Sequence, residues 1–144
     1  MSPFEALVAL LGGSGVIGKP LERDADLERL VASGLPAAAV SHLAKSTHAP
    51  LRELQNVTSI DRSTFSRRAG QHALLKPDES DRVARVARIA ALAMEALGRE
   101  EGIAWLRRSN AALGDRVPMQ MLGTDAGVRQ VEQVIGRIEH GVFS

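Results

Sequence analysis

The chain has 144 residues, 44% of them apolar and 24% charged, with a formal net charge of +1 and no cysteine. A chain this long buries roughly two-thirds of the surface its unfolded form exposes, enough for a core without staples; the lack of cysteine excludes disulfide scaffolds, thiolate zinc sites, iron–sulfur clusters and cysteine nucleophiles. Aromatics make up 3%, with Trp105 the single tryptophan and no tyrosine, which excludes the stacking platforms that hold single-stranded nucleic acid.

The chain opens on an apolar stretch, Met1 to Leu11, that lacks a basic n-region and carries Glu5. It is far shorter than the ~20 residues a membrane span needs, so no membrane association and a cytoplasmic location are expected. Gly13-Ser14-Gly15-Val16-Ile17-Gly18 matches the spacing G-x-G-x-x-G. Those glycines serve a dinucleotide only where a helix starts among them within a strand–helix–strand unit. Pro20 would break that helix, and a flexible connector is the reading instead.

From Asp24 onwards, apolar spacings of three and four predict helix almost throughout, with no alternation long enough for a strand. Leu27, Leu30 and Val31 form a stripe that stops at Gly34, a residue suited to a helix C-terminus. Pro36 suits the first turn of a helix carrying Val40, Leu43 and Ala44, and Pro50 opens a short one with Leu51 and Leu54 that gives out between Asn56 and Ile60. Asp61 then caps a helix that reaches about Gly70. After Lys76-Pro77-Asp78-Glu79-Ser80 comes the strongest periodicity, Val83, Val86, Ala87, Ala90, Ala93, Met94 and Leu97, with Arg82, Arg85 and Arg88 on another face and Gly98 as the stop. A shorter helix around Ile103 to Arg107, a loop from Ser109 to Val117 and a helical turn at Pro118 follow. Thr124 caps a last helix with Val128, Val131, Ile135 and Ile138 inward.

Charge is unevenly spread: residues 1–33 balance at −2, 34–76 at +4 and 77–144 at −1, with three of the four histidines in the middle part. A polyanion would therefore meet the middle third. His42, His48, His72 and His140 lack metal-ligand spacing, the adjacent Glu100 and Glu101 point to different helix faces, and Ser63, Ser66 and Ser80 have no local base. Neither a metal site, a cofactor nor an enzymatic function is expected.

Pro50 to Gly70 has the layout of a helix-turn-helix: a short helix, a tight turn and a capped second helix with arginines and hydroxyls outward. Phe65 and Ala69, four apart, pack inward, leaving Arg62, Ser63, Ser66 and Arg67 outward. Arginine can read guanine in the major groove, and serine or threonine can bond bases or phosphates. A helical hairpin with a merely solvated basic face would look the same, and a lost DNA function would leave it as a scaffold. The candidate DNA-binding residues are Arg62, Ser63, Thr64, Ser66, Arg67 and Arg68, with Arg68 better suited to a phosphate or an internal carboxylate than to a base.

The pattern resembles the Xre/MbcA/ParS-type antitoxins that accompany RES-domain toxins. The resemblance rests on Ser33-Gly34-Leu35-Pro36, Ile60 to Arg68 and Leu75 to Arg82, then on Trp105-Leu106, Ser109 to Gly114, Pro118, Leu122 to Gly127 and Arg137 to Ser144. It implies an all-α protein in which an extension, 1–25, precedes an Xre-like helix-turn-helix domain, 26–76, and a toxin-binding domain, 77–144. It further implies a homodimer that binds operator DNA and represses its own operon, and a RES-domain toxin that consumes NAD or modifies proteins with it. Ile138, Glu139, His140, Gly141, Val142, Phe143 and Ser144 would cover that toxin's active site. Trp105 is expected to anchor the core of the C-terminal half, and Glu79 to Arg82 to form the capped start of the long helix. The alternative is a stand-alone helix-turn-helix transcription regulator whose C-terminal half only dimerises.

Overall fold

A computed structural model describes residues 1–141. Among these, nine α-helices and two 3₁₀ turns carry the regular structure: α1 (Pro3–Leu10), α2 (Gly13–Ile17), α3 (Asp24–Ser33), α4 (Ala38–Ser46), α5 (Leu51–Thr58), α6 (Arg62–Gly70), α7 (Pro77–Leu97), α8 (Arg99–Arg107), 3₁₀ turns Ala111–Leu113 and Pro118–Met121, and α9 (Asp125–Glu139). None of the described helices is long and apolar enough to cross a membrane.

The organising element is α7. Val83, Val86, Ala87, Ile89, Ala90 and Ala93 are all buried along it, and α1, α3, α5, α8 and α9 pack around it. Its alanines leave room for close neighbours. At Gly102 of α8 a Cβ would stand 2.6 Å from the backbone of Ala93, so the two helix backbones touch without side chains between them. Lys76 and Glu79 form a capping box at its start, as expected for that segment, and the acidic Asp78 and Glu79 face the positive end of the helix dipole. Gly98 stops it with a left-handed φ of 90°.

The basic stripe on α7 is engaged within the chain. Arg82 Nε donates to the carbonyl of Thr58 at 2.6 Å, Arg85 lies 3.8 Å from Asp125, and Arg88 pairs with Glu132 at 2.6 Å. The stripe thus knits α5 and α9 to the central helix.

The motif Ser33-Gly34-Leu35-Pro36 crosses the segment leading into α7. The Leu35 N–H donates to the buried Ser80 hydroxyl at 2.8 Å, Leu75 N–H donates to the Leu35 carbonyl at 2.8 Å, and Pro36 and Leu74 form an isolated antiparallel bridge. Gly34 is required there twice over, by its φ of +106° and because a Cβ would stand 2.4 Å from the Leu75 carbonyl oxygen. Pro36 lies just ahead of α4 rather than in its first α-helical turn, its carbonyl accepting from Ala39 N–H at 3.0 Å.

The first residues depart furthest from expectation. Instead of a connector, the glycine-rich segment forms α2, bracketed by left-handed Gly12 and Gly18. Leu7, Leu10, Leu11 and Ile17 join the core, with α1 against α7 and α4 and α2 against α4. Four apolar side chains buried together outweigh the weak helix propensity of glycine.

Candidate nucleic-acid interface and C-terminal tail

The hairpin is built as its sequence indicates. Leu54 is fully buried in α5, while Leu51 at the first turn is 37% exposed. The helix continues to Thr58, whose hydroxyl donates back to the Leu54 carbonyl at 2.5 Å. Ser59 then takes a left-handed conformation, φ 55° and ψ 42°, and turns the chain toward α6. A serine there carries a Cβ penalty that glycine avoids. Ser59→Gly should raise stability by about 0.5–1 kcal/mol in denaturant unfolding, since relief of strain exceeds the added chain entropy; an unchanged midpoint would refute the strain.

Asp61 is the N-cap of α6. Its Oδ2 accepts from Thr64 N–H at 3.0 Å, the Ser63 hydroxyl at 2.5 Å and the Thr64 hydroxyl at 3.2 Å. These donors, the Ser63 hydroxyl foremost, hold its carboxyl below the usual carboxylate range. The hydroxyl protons of Ser63 and Thr64 therefore serve the cap. Phe65 is buried at 4% exposure and Ala69 packs against the core, which turns Arg62, Ser66 and Arg67 to solvent.

Arg68 turns inward. Its guanidinium pairs with Glu79, the two side chains 14% and 9% exposed, and the same carboxylate oxygen accepts from Lys76 N–H at 2.8 Å. It is the internal carboxylate partner that its sequence position allowed, and α6 is pinned by it to the start of α7. The outward cationic set on α6 is thus Arg62 and Arg67 with Ser66 beside them, and Lys45 and Arg52 are exposed on α4 and α5.

In the C-terminal half, Thr124 caps α9 by accepting from Gly127 N–H at 3.0 Å. Val128, Val131, Val134 and Ile135 are buried, and Ile138 is half-buried against the core. Gly127 makes this packing possible: a Cβ would stand 1.9 Å from the carbonyl oxygen of Met121 in the second 3₁₀ turn. Glu139, His140 and Gly141 are exposed, with Gly141 left-handed at φ 72°. Val142, Phe143 and Ser144 lie outside the described residues. Trp105 is 6% exposed in the core of this half, as expected. No cluster of His, Asp or Glu among the described residues is arranged to hold a metal ion.

A family model described as the antitoxin Xre-like helix-turn-helix domain matches residues 26–88, and one described as the antitoxin Xre/MbcA/ParS C-terminal toxin-binding domain matches residues 92–141. An antitoxin Xre from Yersinia enterocolitica is 32% identical over 130 residues, 89% of this chain and 88% of the relative. The chain belongs to the antitoxin Xre family. An antitoxin Xre from Photorhabdus laumondii is 28% identical over 130 residues, again 89% of this chain and 88% of the relative. A protein from Sphingobium named Prs ADP-ribosylating antitoxin is 22% identical over 138 residues, 88% of this chain and 87% of the relative. Like other Xre antitoxins, the chain is a regulator and not a catalyst, with a helix-turn-helix domain followed by a toxin-binding domain.

The partners of Arg68 and of the α7 arginines, and the pairing of Arg107 with Glu53 at 2.6 Å, were not visible in the sequence. Each joins residues far apart in the chain, where no local spacing signals the contact.

Proposed function

We propose that this Xre antitoxin neutralises a RES-domain enzyme that consumes NAD, by covering its active site with the segment from Ile138 to Ser144. The observation that carries the reading is the toxin-binding family match running through Gly141, into the segment where α9 ends and its last residues become exposed. A short tail after a left-handed glycine can leave the helix axis and offer backbone hydrogen bonds and apolar anchors. The name of the Sphingobium relative supports the chemistry of the target, because ADP-ribosylation spends NAD. The test is cellular NAD after induction of the neighbouring gene's product, with full-length protein or a version ending at Arg137 co-expressed at matched soluble levels. Full-length protein should preserve NAD and the truncated one should not. Protection by both would remove the tail from the mechanism, and protection by neither, with the toxin active, would leave a stand-alone transcription regulator.

The same protein would act as a cytoplasmic homodimer on its own operator. A two-fold dimer sets two copies of α6 about 34 Å apart, in successive major grooves of a palindromic site. Arg62 and Arg67 supply the base contacts in this reading. Arg62→Ala or Arg67→Ala should each weaken binding to the promoter upstream of its gene by ~1–3 kcal/mol in gel-shift titration. Unchanged affinity in both variants would retire the assignment.

A further inference from the structure

Among the described residues, three side-chain polar contacts tie α5 and α6 to α7 and α8. Two come from the first turns of α7, within the span of the helix-turn-helix family match: Arg82 to the Thr58 carbonyl at 2.6 Å, and Glu79 to Arg68. The third comes from the toxin-binding domain, where Arg107 Nη1 at the end of α8 meets Glu53 Oε2 in the first turn of α5 at 2.6 Å. The two side chains are 28% and 17% exposed, at the edge of a cleft of about 460 Å³ that Arg52, Asn56 and Gln120 also line. Close by, the backbone of the same half approaches α5 directly, for a Cβ on Gly123 would stand 3.2 Å from the Val57 carbonyl oxygen.

We propose that Arg107 is a positioning residue for DNA binding, holding α5 through Glu53 at the angle that lets α6 reach base edges. The proposal rests on the reading of α6 as the DNA-reading helix. Thr58, held by Arg82, ends α5, and Glu53 lies five positions earlier, or about 7.5 Å along the helix axis. One tie fixes a point on a helix; two fix its direction. Pro50, the N-cap of α5, supplies no side-chain cap, and Glu53 in the first turn accepts from Arg107 across to α8. Base recognition demands placement within a fraction of an ångström, whereas phosphate contacts tolerate more. Loss of the pair should therefore reach specificity first. The pair is part-buried at the edge of the cleft, so its loss leaves the apolar core of both halves untouched and the fold intact for the test.

The experiment compares Glu53→Gln, Arg107→Gln and the exchange Glu53→Arg with Arg107→Glu in the full chain. Affinity is titrated for the promoter fragment upstream of the gene and for a random duplex, at one salt concentration and well below every variant's melting midpoint. Each single variant should lose about tenfold on the promoter, the scale of one mismatched base pair, and less than about twofold on random DNA. The exchange should recover most of the loss, because the pair is restored with its polarity reversed. Single variants that bind the promoter like the parent, a parallel loss on both DNAs, or an exchange that fails to recover would each overturn the positioning role. If the parent itself has no preference for the promoter, the DNA reading falls, and the positioning role with it.

Discussion

Trp105→Ala should lower stability by ~3–5 kcal/mol, enough to unfold a marginal domain, as a large aromatic removed from a core leaves both a cavity and unpaired neighbours. The side chain is 6% exposed and belongs to the same core as Leu106, Leu113, Met119 and Val131. For a chain of this length the melting midpoint should fall by roughly 10–20 °C. The measurement is guanidinium unfolding followed by far-ultraviolet circular dichroism, since Trp105 is the one tryptophan and its removal abolishes that fluorescence. In the parent, Trp105 emission should shift to longer wavelength in the same transition as the helix signal. A variant within about 1 kcal/mol of the parent would show that the indole is not the anchor of this half.

Gly127→Ala should cost about 2–4 kcal/mol, more than overpacking by one methyl group usually does. The added carbon would meet the Met121 carbonyl oxygen at 1.9 Å and the Thr124 hydroxyl oxygen at 3.1 Å. The first is backbone of a 3₁₀ turn whose Met119 and Met121 are buried, so α9 must move as a unit or the turn must deform. The same methyl at Gly136, where no atom lies within 4 Å, should be neutral or slightly stabilising through helix propensity. Denaturant unfolding of both variants checks the contrast, and equal effects would show that the close approach at Gly127 carries no cost.

What the sequence made legible was chiefly local. Asp61 and Thr124 cap the helices they were expected to cap, Gly34 and Gly98 end the ones they were expected to end, and Phe65 and Ala69 turn α6 as their spacing requires. In each case cause and effect lie within one turn of helix. The motif from Leu122 to Gly127 was read as a family mark; its physical reason is proximity, of Gly123 to α5 and of Gly127 to Met121. Glycine in a pattern shows where something comes close but not what. The N-terminal segment was misread for the converse reason: its glycines are local, while the partners of Leu7 and Leu11 arrive only with later helices. The pairing of Arg107 with Glu53 had no local signal at all, because any of the exposed arginines could have met that carboxylate.

The seating of α1 against α7 also sets an order of events at the ribosome. The apolar side of α1 is made early, but its seat is made only after α2 to α6 have been translated. At about 5–20 residues per second, several seconds separate the two. Through that interval α1 has α2 and α4 to pack on but not its main seat, and the core closes only when α7 leaves the exit tunnel. Newly made antitoxin therefore completes its core late in its own synthesis, at a pace set by elongation.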